Sequence, residues 1–207
     1  MTQSHWLEWT EQLRAIAQNG LTYAEGGFDL ERYHQLQTIT HEMTAALAGA
    51  PKEKVDHFFL PEKGYCTPKI DLRAGIFKDG KVLLVRERSD NCWALPGGWG
   101  DIGEPPSTGI ERGIREESGF TAKAFKLAAI RDVHRHPYSP RHPHHIYKLL
   151  FLCELTGGEA RVNLEISEID FFALDALPEL SQGRTISGDI ELLYNHLQQI
   201  DHPTEFD

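Results

Sequence analysis

Cysteine is scarce in this chain, and so is positive charge. Cys66, Cys92 and Cys153 are odd in number and widely separated. That spacing excludes a disulfide framework and the paired-cysteine pattern of a zinc module, and a reducing cytoplasm is the simplest expectation. Basic residues number 21 against 31 acidic ones, a net charge of −10. Such a surface repels a phosphate backbone at long range and disfavours bulk nucleic-acid binding. No apolar run approaches the roughly 20 residues that a membrane span requires. The start, from Met1 to Trp6, lacks the basic and apolar regions of a signal peptide. Internal repeats and low-complexity tracts are missing too.

What is present is ordinary and sufficient. Of 207 residues, 40% are apolar and 25% charged, enough to bury a substantial core in one full-sized domain with a small appendage. The acidic surplus suits a protein whose carboxylates gather a divalent cation, although solubility alone accounts for it more simply.

Periodicity divides the chain. Residues 4–19 and 29–48 predict two amphipathic helices, the first carrying Trp6, Trp9, Leu13, Ile16 and Ala17, the second Leu30, Tyr33, Leu36, Ile39, Met43 and Leu47. Asp29 is the expected N-cap of the second. Two helices cannot cover both stripes, so they must pack on the rest of the chain or on a second subunit. Trp6 and Trp9 are expected in a core rather than in a ligand cage. Neither helix has the basic polar face of a membrane-surface segment.

After a linker at Pro61–Pro68 the period changes to two. Strands are expected at Ile70–Phe77 and Val82–Arg86 around the hairpin signal Asp79-Gly80, then at Phe125–Val133, Ile146–Leu155 and Ile169–Ala173. Gly157-Gly158 marks a turn, and Thr185–Ile200 a closing helix. The expectation is an α+β fold with a mixed sheet: residues 1–62 as a helical hairpin, 67–207 as the main domain.

The informative stretch runs from Leu95 to Phe120. On a helix with Arg112 at zero, Glu116 falls at about 40° and Glu117 at about 140°, while Ile110 and Ile114 fall at about 160° and 200°. The two carboxylates are neighbours, with the core face beside Glu117. Ser118-Gly119 ends the helix with glycine at the C-cap position. Adjacent carboxylates beside the glycine-rich loop Gly97-Gly98-Trp99-Gly100 form a hard oxygen site suited to magnesium. Loop backbone can approach metal and phosphate because glycine lacks a Cβ.

Gly98, Glu104, Arg112, Ile114, Glu116, Glu117, Gly119 and Phe120 resemble the Nudix box. Six of its seven fixed identities match; Gly113 stands where the box has glutamate. The similarity reaches further, through Gly64-Tyr65, Thr67-Pro68-Lys69, Trp93–Trp99, Tyr147-Lys148, Gly157–Glu159 and Leu177–Ser181. These resemble a bacterial Nudix subfamily with an N-terminal helical extension, associated with ADP-ribose or CDP-choline pyrophosphatase activity and with dimers.

The resemblance implies a Nudix-type α/β/α sandwich behind the helical hairpin. It also implies a magnesium-dependent pyrophosphohydrolase, with Mn2+ as the alternative ion, that splits a nucleoside diphosphate linked to a small group. Glu116, Glu117 and a carbonyl of Gly97 or Gly98 would hold the metal, while Glu104 and Arg112 would orient helix and loop.

Gly113 supplies no carboxylate and costs a helix interior about 1 kcal/mol, as does Gly109. Glu111 points away from the metal arc. A replacement acid would come from Glu165 or Glu168. The competing reading of Gly113 is a nucleotide-binding regulatory module with weakened catalysis. An RNA-processing enzyme is disfavoured by net charge. Arg73 and Arg86, on expected strands, are candidates either for holding phosphate or for structural ion pairs, and Trp99 either for stacking on a base or for shaping the loop. The histidines at 134, 136, 142, 144 and 145 fit a solvated loop or a rim over substrate better than a metal site, for no regular spacing organises them.

Overall fold

The structure, a computed structural model, describes residues 3–207. These fall into two compact units meeting at Thr67/Pro68.

The first unit is helical. Helices α1 (Gln3–Tyr23) and α2 (Gly27–Ala48) form the expected hairpin, and a third, α3 (Lys52–Phe59), follows. Gly20 lets the hairpin close, since a Cβ there would sit 2.3 Å from the Tyr33 ring. The N-cap of α2 is Gly26, not Asp29; Asp29 lies in the first turn and pairs with Arg32 at 2.8 Å. Glycine makes the cap because the chain reverses at Gly26-Gly27, two residues earlier than the apolar spacing suggests. Helix α3 contributes Val55 and Phe59, which pack with Ala45 in a small core. At eight residues it is too short to announce itself by periodicity.

Trp6 and Trp9 depart from expectation. They stack edge to face at 5.3 Å but stay 44% and 40% exposed, so the α1 stripe is not consumed inside this chain. Phe28, at 80%, is barer still.

The second unit is a sandwich. Strands β1 (Lys69–Gly75), β2 (Phe77–Lys78), β3 (Lys81–Glu87), β4 (Trp93–Ala94) and β5 (Gly97–Trp99) precede helix α4 (Pro106–Ser118). Then come β6 (Phe120–Asp132), β7 (Ile146–Gly158), β8 (Ile166–Ala173), helix α5 (Ser187–Gln198) and β9 (Glu205–Phe206). One mixed sheet has the order β5-β1-β7-β6-β9, with β1–β7 and β6–β9 parallel. A second contains β2-β3-β4, with β8 on β3.

Strands β3 and β7 are buried on both faces and feed alternate residues to two cores, as the period of two requires. Leu83, Phe151 and Cys153 join Ile110 and Ile114 of α4; Val82, Leu84, Leu150 and Leu152 join Ile190 and Leu193 of α5. The hairpin residues Asp79 and Gly80 both have positive φ, 51° and 73°, as their sequence signals.

Gly157-Gly158 is not a turn. It prolongs β7, with Gly158 opposite Phe120. A Cβ on Gly158 would lie 2.5 Å from the Gly119 carbonyl oxygen, and one on Gly119 would lie 2.5 Å from that of Glu159. Both have positive φ. The end of α4 and the end of β7 thus meet backbone to backbone, which only glycine allows.

Candidate active site

The loop between β4 and α4 is shaped by one residue. Gly97 has φ 135°, and a Cβ there would sit 2.0 Å from the Leu72 carbonyl oxygen of β1. Its N–H donates to Oε2 of Glu117 at 2.8 Å. Burial pushes the Glu117 carboxyl up to about 7, against the Arg73 charge and the Gly97 hydrogen bond; Glu87 and Asp71 add to the rise. A carboxylate so placed favours the arrival of a cation.

Glu116, one residue earlier, is more than half exposed and accepts from Arg112 at 2.8 Å. Arg112 also bonds Glu104 at 3.0 Å and Asp101 at 2.7 Å, tying helix to loop. Gly109 is explained by the same packing. A Cβ there would meet Leu72 Cδ1 at 2.9 Å and Glu104 Oε2 at 3.1 Å. Gly113 faces Gly97, with room for a Cβ at 3.5 Å. Glu111 is indeed occupied elsewhere, accepting from the Ala124 N–H and pairing with Lys123.

Beyond the loop lies a cavity of about 800 Å3, whose wall includes Gly98, Trp99, Asp71, Arg73, Lys148 and His142. Asp71, Arg73 and Lys148 are almost wholly buried. Asp71 pairs with Arg73 at 3.0 Å and with Lys148 at 2.8 Å, and Arg73 also donates to the Leu95 carbonyl. Burial alone would raise the Asp71 pKa, but the two cations hold it below the ordinary carboxylate range. Lys148 is pushed down by burial against the pull of Asp71. Trp99 is half exposed and meets the His142 ring edge-on at 5.6 Å.

Arg73 and Trp99 therefore line the cavity, whereas Arg86 does not. Arg86 is spent on an ion pair with Glu168 and on the Asn91 carbonyl. Glu165 is exposed, and its N–H is held by Asn163 Oδ1 at 2.8 Å. The same Asn163 amide donates to the Glu116 carbonyl at 2.6 Å, tethering the segment before β8 to the end of α4. Of the histidines, His142 reaches the cavity; His136 pairs with Asp207, and His145 with Asp132.

Asp71 and Lys148 were not singled out from the sequence as site residues; His142 was, only as one of five histidines of a loop or substrate rim. Asp71 and Lys148 are partners in the parallel β1–β7 register, a pairing that no local pattern encodes.

The chain belongs to the Nudix hydrolase family, and its activity is that of a pyrophosphohydrolase. Residues 72–191 match the Nudix domain, and residues 4–59 match the domain described as "UDP-X-like, N-terminal oligomerisation domain". YjhB of Bacillus subtilis (strain 168), provisionally named an ADP-ribose pyrophosphatase, is 38% identical over 99% of this chain and 98% of its own. The ADP-ribose pyrophosphatase of Methanocaldococcus jannaschii is 32% identical over 56% of this chain and 69% of its own. A crystal structure of a UDP-X diphosphatase superposes with a TM-score of 0.63 at 36% identity, covering 100% of both chains. Among the described residues, no helix is long and apolar enough to cross a membrane.

Proposed function

We propose that this hydrolase uses magnesium, with manganese as the alternative, to split the diphosphate bridge of a nucleoside diphosphate linked to a small group. The products are a nucleoside monophosphate and the phosphorylated partner. The observation that carries this reading is the partly buried Glu117 carboxylate bonded to the Gly97 N–H, on the loop whose Gly98 and Trp99 line a cavity of the size that small ligands occupy. ADP-ribose fits the named relatives, a UDP-linked group fits the structural neighbour, and CDP-choline has the same diphosphate core.

Glu116, Glu117 and the Gly98 carbonyl supply the hard oxygen donors that magnesium prefers. The ion, when bound, polarises the bridging phosphates, lowers the pKa of water and offsets charge on phosphate oxygens. Arg112 and Glu104 hold the helix and loop in register. Arg73 presents its guanidinium at the cavity wall for a phosphate, and Trp99 offers a face to the base. Glu165 is the acid that stands in, in part, for the box position lost at Gly113, since Asn163 tethers it to Glu116 while Glu168 is engaged by Arg86. Nothing in the geometry favours a binding module without turnover.

The test is magnesium-dependent hydrolysis of ADP-ribose, CDP-choline and a UDP-linked sugar, reading released monophosphate. Glu117→Gln and Glu116→Gln should each lower turnover at least about a hundredfold, because each removes a charge from the donor set. Near-normal turnover in both at saturating magnesium would sink the assignment. Glu165→Gln should show a comparable loss.

The exposed Trp6, Trp9 and Phe28 further support a homodimer assembled through the helical unit. Light scattering should give twice the chain mass, and a monomeric mass would refute this arrangement.

A further inference from the structure

The structure assigns a metal site to His196, His202 and Glu205, none of which belongs to the site described above. We propose that it takes a first-row transition ion with a preference for imidazole, zinc being the member that tolerates an open tetrahedral shell.

His196 lies on α5, His202 in the turn after it, and Glu205 on β9. Two imidazole nitrogens converge on one carboxylate oxygen. Nε2 of His196 is 2.9 Å from Glu205 Oε1, and Nε2 of His202 is 3.5 Å from the same atom. All three ligand atoms lie within 4.8 Å of one another. Around a tetrahedral zinc with bonds of about 2.0–2.1 Å, neighbouring ligand atoms stand ~3.3 Å apart. The observed separations bracket that edge.

The backbone fixes this geometry without help from the ligands. Lys126 Nζ donates to the carbonyls of Ile200 and His202, each at 2.8 Å, and Thr204 Oγ1 donates to the Leu127 carbonyl. Strand β9 pairs with β6 at Ala129 and Ile130. The ligands are thus preorganised, as a metal centre requires.

His196 is fully buried, and its Nδ1 finds no hydrogen-bond partner, so the polar contact its ring makes is at the cluster. His202 and Glu205 are about half exposed, which leaves the fourth position to water and gives the ion an entry path.

A second cluster, Asp132, His134 and His145, compares poorly. Asp132 Oδ1 already accepts from the His134 N–H and contacts His145 at 3.0 Å. The Arg141 guanidinium stands 3.0 Å from His134 Nδ1 and opposes a cation.

The experiment is equilibrium dialysis of the full chain against zinc, with excess magnesium to fill the all-oxygen site. Wild type and Glu117→Gln should each retain one zinc per chain. His202→Ala and Glu205→Gln should bind it at least about tenfold more weakly, the smallest loss that removal of even an outer partner of a ligating histidine usually causes. Circular dichroism checks that the variants fold. Nitrogen-15 spectra of wild type give an independent reading, in which zinc should shift the Nε2 resonances of His196 and His202. Zinc that leaves those resonances unmoved, or that folded His202→Ala and Glu205→Gln retain as tightly as wild type, overturns the site.

Discussion

Two arginines flank the Gly97–Gly98 loop and are held in opposite ways. Arg112 sits at the surface among Asp101, Glu104 and Glu116, three carboxylates that water also reaches. Arg73 is 7% exposed and shares Asp71 with Lys148, itself 1% exposed. The outer network can be rearranged at little cost, because solvent screens its charges and replaces lost bonds. That suits the role proposed for Glu116, in which it turns from arginine to an incoming cation. The inner network cannot be rearranged freely, since loss of Asp71 leaves two buried cations uncompensated. It gives the cavity a rigid wall.

The largest effect that would break this contrast is on stability. Asp71→Asn should lower the free energy of unfolding by about 3–5 kcal/mol, whereas Arg112→Ala should stay within about 1 kcal/mol of wild type. Urea denaturation measures both, and equal losses would erase the distinction. Next comes an effect on rate. Gly113→Glu adds a carboxylate one turn from Glu117 in a place with room for its Cβ. Turnover should rise about tenfold, equivalent to about 1.4 kcal/mol of barrier. An unchanged rate would show that Glu165 makes good the missing carboxylate completely rather than in part.

The smallest effect concerns His134, another group facing an arginine. Burial first, then the Arg141 charge, lowers its pKa from 6.5 to about 4. The unfolded chain therefore takes up the proton more readily in that interval, and stability should fall as pH drops from about 6.5 to about 4. His134→Gln should flatten that segment of the urea midpoint plotted against pH. A slope identical to wild type would mean that the histidine is not held neutral.

The outer network was largely legible in the sequence, and the inner one was not. Glu104, Arg112, Glu116 and Glu117 lie within fourteen positions, so helical spacing groups the last three and the short loop before α4 brings Glu104 to them. Asp71 and Lys148 are 77 positions apart and meet through strand register, which depends on the whole sheet. The same division runs through the fold. Strands such as β3 and β7 were evident, because burial of their apolar residues imposes a pattern. Helix α3 and strands β4, β5 and β9 are two to eight residues long and owe their form to neighbours. Asp29 misled because a good capping residue also serves in the first turn of a helix.

Gly119 and Gly158 have a consequence for how the protein can change. Because the end of α4 meets the end of β7 through main chain, the helix end that carries Glu116 and Glu117 has one anchor whose fit does not vary with side-chain size. Substitutions among the apolar residues beneath α4 can accumulate and compensate one another, as cores of conserved volume allow. The chemistry at the helix end is insulated from that drift. The freedom of the core to diverge rests on two positions that cannot.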